Sequence, residues 1–585
     1  MNQLVALDGP PPVAAALCVL KFGSSVLECE ADVPRVVQEI YRHVRDGEKV
    51  VAVVSALAGE TDALLAQAER LGGDNAPGAL VARLARVGEL RSAALLALAL
   101  SRVGLNAVTL DPHELGLRAE GDPLDSDLAE IDRALVRKRL EESDVLVVPG
   151  FIADHAEHGV VTLGRGGTDL SAVFVAARLG AERVRLIKDV DGVYDADPAA
   201  APDAHRYAQL GYEEAERVSA GLVQGKALRH AAAAGLRVEV ASLGSREATV
   251  ISDGPASRLP LAPAEPVRVA LLGCGAVGGG VLPLLLAEPD GFAVGPVLVR
   301  RPRPPSSQPF THSLDEALAG DPDILIELVG GVDLAAEAMH RALAGGAQVV
   351  TGNKAALARH WDSLHAAAAR HGGALRYSAA VGGGTPIVET LRRLEGEVVA
   401  LEGVMNGTCN YLLDRLAAGC DFAAAVAEAQ ALGFAEADPS ADVDGHDAAD
   451  KLSILIREAF GVALLPHSIA RQSLRDLAPG AAAAARAAGQ VLKQVGRCRR
   501  HPDGRVEAAV ELVILPADHS LAGARNEENR FLVHRIDGKV DQVFGKGAGR
   551  WPTATAIFAD VLDARGAVLA ARAQAPPPTL MQLKA

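Results

Sequence analysis

Residues 16–250 alternate between short apolar runs and longer segments in which apolar positions recur every three or four residues. The runs LCVLKF, KVVAVVSA, DVLVVPGFI, RVRLIKDV and RVEVASL resemble buried strands, whereas LRSAALLALALSRVG and LSAVFVAARLGA are typical of helices. This alternation predicts a mostly parallel sheet covered by helices. The same pattern returns in residues 267–395. Residues 396–540 mix long helical patterns with the strand-like runs AAVELVILPA and RFLVHRIDG.

The stretch between the two alternating regions differs in composition. Residues 251–266 contain the segment SDGPASRLPLAPAEP, in which proline, alanine and serine dominate. Such a segment is typical of a linker between domains. A chain of 585 residues is also too long for one hydrophobic core, so we predict several domains.

Composition and charge narrow the class of protein. Hydrophobic residues make up 49% of the chain, and the net charge of −16 argues against a nucleic-acid surface. The six cysteines form no C-x-x-C pair, and no apolar run approaches the roughly 20 residues of a membrane span. The short run VAAALCVL has no basic segment before it, unlike a signal peptide. We therefore expect a cytoplasmic protein that acts on small molecules, without nucleic-acid or membrane partners.

One glycine-rich turn stands between a predicted strand and a predicted helix. It reads GCGAVG, after VRVALL, and contains Gly273, Gly275 and Gly278. Glycines at this spacing let the pyrophosphate of a dinucleotide approach a helix N-terminus. The next strand ends at Arg300, followed by two more arginines, where an NAD site usually has an acid; guanidinium groups suit a 2′-phosphate. This favours NADP. Two alternatives are left open. The cofactor can be NAD, or the segment can be an ordinary glycine turn followed by a solvated basic stretch.

A cluster of acids with one lysine marks a second candidate site, in GFAEADPSADVDGHDAADKLSIL. Asp447 and Lys451 are four residues apart on a predicted helix, so they share one face, although spacing alone indicates only a surface ion pair. Crowded carboxylates repel one another unless a cation neutralises them, which favours a substrate with an amino group, or a metal. Apart from His446, no His or Cys set with metal spacing lies nearby. The acids are Glu436, Asp438, Asp442, Asp444, Asp447 and Asp450.

From about residue 267 to 572 the chain resembles homoserine dehydrogenase. The resemblance rests on GCGAVG, VVTGNKAAL, VGGGTPIVETLR, GVMNGTCNY, GFAEADPSADVDGHDAADK and GKGAGRWPTATA. It implies a Rossmann domain with an inserted α+β substrate and dimerisation domain, and a homo-oligomer, either dimer or tetramer. The implied reaction is the reduction of aspartate semialdehyde to homoserine with NAD(P)H.

The same resemblance assigns roles to individual residues. Lys451 and Lys354 are implied as catalytic lysines near the carbonyl group, and Glu436, Asp442 and Asp447 as residues that hold the substrate. An ammonium group beside the carbonyl stabilises, and can protonate, the alkoxide that hydride addition creates. The residues implied to line the cofactor are Gly273, Gly275, Ala276, Val277, Gly278, Arg300, Asn353, Gly382, Gly383 and Gly547.

One position departs from the family pattern. The family often has a glutamate before its second glycine loop that helps to bind a sodium ion. Ser378 stands at that position here, in YSAAVGGG. No metal site is therefore predicted.

The first half carries segments suited to a phosphate group. VLKFGSSVL is a strand that enters a turn and includes Lys21, and TLGRGGTDLSA is a glycine turn that enters a helix. Backbone N–H groups at Gly166, Gly167 and Thr168 suit a phosphate, and Lys21 and Lys226 add positive charge. Each piece alone is also compatible with an ordinary tight turn. The acidic loop in LIKDVDGVYDADP lacks the glycine and glutamate spacing of an EF-hand.

Together these segments resemble the amino-acid kinase fold, and aspartokinase in particular. VVAVVSALAGETDALL, VGELRSAALL, PGFIADHAEHGVVTLGRGGTDLSA and KDVDGVYDADP carry the resemblance. It implies transfer of the γ-phosphoryl group of Mg·ATP to the β-carboxylate of aspartate, mainly by positioning and charge neutralisation. The implied residues are Lys21 and Lys226 for the phosphoryl group, Asp169 for orientation, Glu89, Arg165 and Ser55 for aspartate, and Gly23, Ser24, Gly166, Gly167, Asp189 and Tyr194 for the nucleotide.

Two departures leave an alternative open for this half. KFGSSV is one residue shorter than the family's Lys-Phe-Gly-Gly-Thr-Ser-Val and is closer to the loop of glutamate kinase, and QGKALRH lacks the family's His-Pro pair. The alternative is a homoserine dehydrogenase beside a decayed kinase-like scaffold. A nucleotide-sensing regulator is a third class, against which the paired lysines and acids argue.

These observations predict an α/β chain in which an amino-acid kinase domain precedes a Rossmann domain with an inserted α+β domain. The predicted parts are a kinase domain 16–250, a linker 251–266, a Rossmann domain 267–395, a substrate and dimerisation domain 396–540, a return to the nucleotide domain 541–572 and a flexible tail 573–585. The linker is too short for the ACT domains that fused enzymes of this kind normally carry. We therefore expect no ACT-mediated feedback by threonine or lysine.

Overall fold

The computed structural model describes residues 16–197, 200–201, 204–219, 221–260, 265–304 and 306–574. The chain divides between residues 264 and 265 into two compact units. Each unit contains a parallel sheet, which confirms the predicted α/β class. Among the described residues, no helix combines the length and apolar content that crossing a bilayer requires.

The first unit is built from alternating strands and helices. Its strands are β1 (Leu17–Phe22), β2 (Lys49–Val54), β3 (Ala107–Thr109), β4 (Arg118–Glu120), β5 (Asp127–Glu130), β6 (Val145–Pro149), β7 (Ile152–His155), β8 (Gly159–Thr162), β9 (Arg183–Lys188), β10 (His205–Leu210), β11 (Arg237–Ser242), β12 (Thr249–Ile251) and β13 (Ser257–Pro260). Its helices are α1 (Val33–Arg45), α2 (Glu60–Gly72), α3 (Gly78–Val103), α4 (Arg133–Glu142), α5 (Gly167–Leu179), α6 (Tyr212–Val218) and α7 (Gly225–Ala234).

The main sheet of this unit has the strand order β13-β10-β12-β11-β9-β1-β2-β6-β3. The pairs β1–β2, β1–β9 and β9–β11 at its centre are parallel. Cys18, Val19 and Leu20 of β1 are inaccessible to solvent, because helices cover both faces of the sheet. A smaller sheet, β5-β4-β7-β8, lies beside it.

The segment predicted as a linker contributes partly to this sheet. β13 occupies residues 257–260 and pairs antiparallel with β10, and Arg258 stacks over the ring of Tyr207 at 4.9 Å. A strand at a sheet edge tolerates proline, since one side of its backbone needs no sheet partner. The proline-rich composition therefore concealed an edge strand.

The second unit begins with a nucleotide-binding type of sheet. Its strands are β14 (Val267–Leu272), β15 (Phe292–Val294), β16 (Val297–Leu298), β17 (Phe310–Thr311), β18 (Ile324–Glu327), β19 (Gln348–Thr351) and β20 (Ala374–Arg376). The helices of this part are α8 (Gly278–Leu286), α9 (Leu314–Leu318), α10 (Asp333–Ala344), α11 (Lys354–His371), α12 (Ser378–Gly382) and α13 (Ile387–Arg393). The strands run in the order β17-β16-β14-β18-β19-β20, all parallel.

A second, largely antiparallel sheet follows. Its strands are β21 (Val398–Val404), β22 (Ala470–Arg471), β23 (Gln490–Arg500), β24 (Val506–Pro516), β25 (Glu528–Arg535) and β26 (Val540–Lys546). The helices of this part are α14 (Gly407–Ala417), α15 (Phe422–Ala431), α16 (Ser440–Val443), α17 (His446–Phe460) and α18 (Ala481–Ala487). The strand order is β22-β24-β23-β21-β25-β26, and α17 packs its buried Leu452, Leu455 and Ile456 into the core of this part.

The last helix, α19 (Arg550–Gln574), packs on α8 and β19 of the nucleotide-binding part. Phe558 of α19 meets Phe292 of β15 edge to face, with ring centroids 6.1 Å apart. After the antiparallel sheet, the chain therefore returns to the parallel sheet of the second unit. Of the predicted tail, residues 575–585 lie outside the described residues.

Candidate active sites

The glycine turn between β14 and α8 has an open backbone. Gly273 has a φ of 95°, and a Cβ atom on Gly278 would overlap the carbonyl oxygen of Gly273. A Cβ atom on Gly275, by contrast, would have no neighbour within 4 Å. The turn is therefore closed on its protein side and open on its outer side, next to the N-terminus of α8. This shape fits the pyrophosphate of a dinucleotide.

Arginines follow the neighbouring strand β16. Arg300 and Arg301 are exposed, and the guanidinium of Arg303 donates a hydrogen bond to the carbonyl of Cys274 in the glycine turn. Positive charge thus lies beside the turn, at the position where the ribose of a dinucleotide would follow its pyrophosphate.

A chain of hydrogen bonds links the carboxyl ends of β18 and β19. The Thr351 hydroxyl donates to Glu327 Oε2 at 2.5 Å and accepts from the backbone N–H of Asn353 at 3.0 Å. The Asn353 side chain accepts from the N–H of Ala356 and so caps α11, whose first residue is Lys354. Burial raises the pKa of Glu327 to about 7, despite hydrogen bonds donated to its carboxyl group. These hydrogen bonds fix the first turn of α11 relative to β18 and β19, and so the position from which the Lys354 side chain extends.

Two lysines hold one buried carboxylate at the centre of the second unit. Asp447 Oδ1 lies 2.9 Å from Lys354 Nζ, and Asp447 Oδ2 lies 2.7 Å from Lys451 Nζ. Burial alone would raise the pKa of Asp447, but the two ammonium groups outweigh burial and hold that pKa well below its usual value. Lys354 comes from the nucleotide-binding part, whereas Asp447 and Lys451 lie on α17. The site therefore joins the two parts of this unit.

Asn406 and Met405 complete this arrangement. The Asn406 side-chain nitrogen donates to Asp442 Oδ1 at 2.7 Å and to Asp447 Oδ2 at 2.9 Å, and its oxygen caps α14. Lys451 Nζ also donates to the carbonyl of Met405 at 2.7 Å. The side-chain amide of Asn406, the N-cap residue of α14, thus holds the carboxylates of both Asp442 and Asp447.

The loop after α12 touches the loop after β26. The N–H of Gly384 donates to the carbonyl of Lys546 at 2.8 Å, and a Cβ atom on Gly383 would approach the carbonyl oxygen of Gly547 to 2.6 Å. The structure therefore brings the predicted cofactor residues Gly382, Gly383 and Gly547 together.

In the first unit, two lysines also share a carboxylate. Lys21 Nζ lies 2.8 Å from Asp169 Oδ1, and Lys188 Nζ lies 3.1 Å from Asp169 Oδ2. The backbone N–H of Gln224 faces Asp169 Oδ2 at 3.4 Å. A Cβ atom on Gly23 would come within 2.5 Å of Lys21 Nζ, so a larger residue there would displace the end of the lysine side chain.

Ser55 and Glu89 lie at the same edge of the sheet. The Ser55 hydroxyl donates to Thr168 Oγ1 at 2.9 Å, and the N–H of Ala56 donates to Glu89 Oε2 at 2.9 Å. Burial raises the pKa of Glu89 to about 8, although Lys21 lies nearby. This edge holds the carboxyl ends of β1, β2 and β9 and the start of α5, which is where α/β sheets bind ligands.

Comparisons with known proteins bear on both units. The model of the "Amino acid kinase family" matches residues 16–242, that of the "Homoserine dehydrogenase, NAD binding domain" residues 273–378, and that of "Homoserine dehydrogenase" residues 386–562. The homoserine dehydrogenase of Synechocystis sp. is 36% identical over 322 residues, which cover 52% of this chain and 74% of the relative. The chain belongs to the homoserine dehydrogenase family. Its kinase domain precedes the dehydrogenase domains, as in bifunctional aspartokinase/homoserine dehydrogenases.

Other members of the family match to a similar extent. Homoserine dehydrogenase of Corynebacterium glutamicum is 36% identical over 322 residues, covering 52% of this chain and 72% of the relative. A solved homoserine dehydrogenase from Thiobacillus denitrificans aligns with a TM-score of 0.50 and 32% identity over 54% of this chain and 76% of that one.

The acid cluster of the homoserine dehydrogenase part divides in the structure. Asp442 and Asp447 meet through Asn406, whereas Asp444 accepts from the Ser473 hydroxyl at 2.6 Å. Glu436 is exposed on the loop between α15 and α16. Only part of the cluster therefore faces the lysines.

Ser378 has carboxylate neighbours in this homoserine dehydrogenase. Its N–H donates to Asp560 Oδ2 at 3.1 Å, and its single hydroxyl proton is shared between Asp560 Oδ1, at 2.8 Å, and a carboxylate oxygen of Glu389. The serine is thus built into contacts between α12, α13 and α19.

The predicted residues of the kinase-like unit separate into two groups. Lys226, expected at the phosphate turn, lies 2.6 Å from Asp125 Oδ1, and Arg165 is exposed, with its carbonyl accepting from Gln224 Nε2. Asp189 is exposed after β9, and the Tyr194 hydroxyl donates to Asp191 at 2.7 Å. Ser24 is exposed beside Gly23. Lys21 and Asp169, by contrast, are in direct contact.

Sequence reasoning missed Asn406, Glu327 and Lys188. Asn406 is part of the quoted motif GVMNGTCNY, and an asparagine between a strand and a helix signals an N-cap. Glu327 ends an apolar strand, which is a signal for a buried acid. Lys188 lies in the quoted segment LIKDVDG, directly before the acids assigned to the nucleotide.

Proposed function

We propose that the second unit reduces aspartate 4-semialdehyde to homoserine with NADPH. The arrangement Lys354–Asp447–Lys451 carries this proposal, because it places two ammonium groups around one buried carboxylate. The site also lies beside the strand edge that carries the glycine turn: Gly352 and Asn353, which precede Lys354, follow β19, and β19 pairs with β18 beside β14.

The two lysines suit the charge that develops during such a reduction. When bound, the nicotinamide supplies the hydride. The aldehyde oxygen then gains negative charge, which an ammonium group held by Asp447 stabilises, and that ammonium can give the oxygen its proton. Lys451 also donates to the Met405 carbonyl, which limits its rotation and keeps its Nζ atom beside Asp447.

Asp442 suits the other end of the substrate. Its carboxylate lies at the same amide, Asn406, as Asp447, so a negative group is available for the substrate's α-ammonium close to the lysines. We assign Glu436 to the same role, with its loop approaching when substrate binds.

The cofactor preference follows from the arginines. Arg300, Arg301 and Arg303 stand where an NAD enzyme usually has an acid, and Arg303 lies against the glycine turn. A 2′-phosphate adds negative charge that guanidinium groups bind well. We therefore assign NADP rather than NAD to this site.

For the first unit we propose phosphorylation of aspartate by Mg·ATP. Lys21 and Asp169, beside the start of α5, suit a transferring phosphoryl group, and the Glu89 region suits the amino acid. The runner-up is a kinase-like scaffold without activity, which the shortened loop KFGSSV favours.

One set of assays tests both assignments. The same preparation is assayed for ATP- and aspartate-dependent hydroxamate formation and for NADPH oxidation with aspartate semialdehyde, and then as Lys21→Ala and Lys451→Ala. We expect each variant to lose one activity only, by at least ~100-fold. Dehydrogenase activity alone would support the scaffold. The absence of both activities would contradict the proposal.

We also propose a homo-oligomer, either dimer or tetramer. Light scattering on the purified chain measures the mass directly. A monomer at micromolar concentration would contradict this assignment.

A further inference from the structure

The first unit contains a buried lysine to which the resemblance gave no role. Lys188, the last residue of β9, places its Nζ atom 3.1 and 3.2 Å from the two carboxylate oxygens of Asp169. Lys21 reaches the same carboxylate from β1. The side chains of all three residues are less than a tenth exposed. Two ammonium groups therefore compete for one buried carboxylate.

The charges of this group do not balance. Lys21 and Lys188 contribute +1 each and Asp169 contributes −1, which leaves +1 in a site with little access to water. The acid that faces Lys21 from α3 is Glu89, and burial raises its pKa to about 8, so it adds little negative charge at neutral pH. An uncompensated buried charge is unfavourable unless an anion joins it.

The ionisation of Lys188 reflects this imbalance. Burial, reinforced by the charge of Lys21, lowers the pKa of Lys188 to about 8, although Asp169 acts in the opposite direction. Asp169 and Lys21 are the charged groups that face it. An anion that enters beside the two ammonium groups would favour the charged form and so draw a proton from solvent.

The position of the two lysines in the fold favours a phosphate group as the anion. The two lysines lie at the carboxyl ends of adjacent parallel strands, next to the start of α5, where Thr168 precedes Asp169 and bonds to Ser55. Lys226, the other lysine expected here, is turned to Asp125 and its side chain is 26% exposed. Lys188, by contrast, is buried and places a second ammonium group at the carboxylate that Lys21 contacts.

We propose that Lys188 is a phosphate-binding residue that, with Lys21, contacts the phosphoryl oxygens of Mg·ATP in the first unit. The inference rests on the proposed kinase function and adds to it a residue to which the resemblance gave no role. Asp169 keeps both ammonium groups in place until the nucleotide arrives. The polyphosphate then supplies the negative charge that the group lacks.

Calorimetric titration of the full chain with Mg·ATP, without aspartate, tests the proposal. Titrations at pH about 8 in two buffers of different ionisation enthalpy give both the Kd and the protons taken up. We expect the wild-type chain to take up at least about half a proton, because Lys188 is about half ionised there before binding and Glu89 titrates in the same range. Lys188→Met should reduce this uptake to the part that Glu89 contributes and weaken binding roughly 10- to 100-fold, and Lys188→Arg should restore part of the affinity.

Two comparisons separate a binding role from a structural one. Lys49→Met removes a lysine at the opposite end of the same sheet, bonded to the Ser143 carbonyl, and should leave binding and proton uptake unchanged. Lys188→Met should leave Tm unchanged or raise it at neutral pH, because it removes a buried like charge. A lower Tm with unaltered proton uptake would make Lys188 a structural residue and overturn the proposal.

The outcomes also distinguish this inference from the kinase assignment. If the wild-type chain binds Mg·ATP and forms hydroxamate while K188M does so equally well, Lys188 has no phosphate role and the kinase assignment stands. If the wild-type chain binds no Mg·ATP, both are wrong. If K188M loses Mg·ATP binding but not even the wild-type chain forms hydroxamate, the phosphate role of Lys188 stands and the assignment of phosphoryl transfer to aspartate is wrong.

Discussion

Two buried acids of the homoserine dehydrogenase part have pKa values that move in opposite directions. Asp447 accepts contacts from two ammonium groups, which overcome the effect of burial and lower its pKa. Glu327 is also buried, but its partners are a hydroxyl and an N–H, and burial raises its pKa to about 7. The charge of the partner, rather than depth, decides which acid is ionised at neutral pH.

Glu327→Gln should therefore change the pH dependence of stability. The folded chain binds the Glu327 proton more tightly than the unfolded chain, so its stabilising effect is full below the ordinary value of 4.5 and is lost as pH rises through about 7. Between about pH 5 and pH 7.5 the wild-type chain should lose of order 2 kcal/mol relative to Glu327→Gln. Urea unfolding across this range measures the difference. The exposed Glu337→Gln is the control, and parallel curves for wild type and Glu327→Gln would refute the expectation.

At the scale of elements, short strands and helix caps position the chemistry. Asn353 follows β19 and caps α11, and Asn406 follows β21 and caps α14. Each cap fixes the first turn of its helix and, through its side-chain nitrogen, a neighbouring group. The same amide thus satisfies backbone N–H groups and orders the site.

Asn406 allows these two effects to be separated. Asn406→Ser keeps an oxygen that can cap α14, whereas Asn406→Ala does not, and both lose the bonds to Asp442 and Asp447. Both variants should lose dehydrogenase activity roughly 10- to 100-fold, because the carboxylates are no longer fixed. The alanine variant should be less stable than the serine variant by about 1 kcal/mol. Equal activity in wild type and Asn406→Ser would show that the amide bridge has no role.

The glycine turn gives a second matched pair. Gly278→Ala places a methyl group against the Gly273 carbonyl, whereas at Gly279 the nearest neighbour of an added Cβ is Arg550 Nη2 at 3.7 Å. The first change must distort the turn and should raise the Kd for NADPH at least roughly tenfold, and the second should change it little. Fluorescence titration with NADPH measures both. Similar affinities for the two variants would argue against pyrophosphate binding at this turn.

At the scale of the whole molecule, the two units follow one another with little chain between them. β13 ends the first sheet at residue 260, and β14 begins the next sheet at residue 267. A regulatory domain needs at least ~50 residues, which this interval does not offer. The interval between the two units is therefore too short to contain an ACT domain.

We therefore expect no feedback through an ACT domain between the two units. Millimolar threonine or lysine should leave both activities within about twofold of their values without effector, since no intervening domain links effector to site. Initial rates of hydroxamate formation and NADPH oxidation check this. Inhibition that is non-competitive with both substrates of either reaction would contradict the expectation.

Several features were predictable because they depend on neighbours in the chain. The alternation of apolar runs gives the α/β class, the turn at Gly273–Gly278 needs only its own spacing, and Asp447 and Lys451 face each other because one helical turn separates them. Lys354 was named from a motif, yet its contact with Asp447 depends on two different parts of the second unit.

What the sequence determined by itself is local: strand and helix periods, the glycine turn and the helical pair on α17. The tertiary structure alone decided which distant charges meet. Asp169 receives Lys188 across 19 residues and Lys21 from another strand, while Lys226 pairs with Asp125 across 101 residues. Nothing in the spacing of these residues indicates their partners. Buried charges are selected by the packing that removes water around them, and that packing exists only in the folded chain.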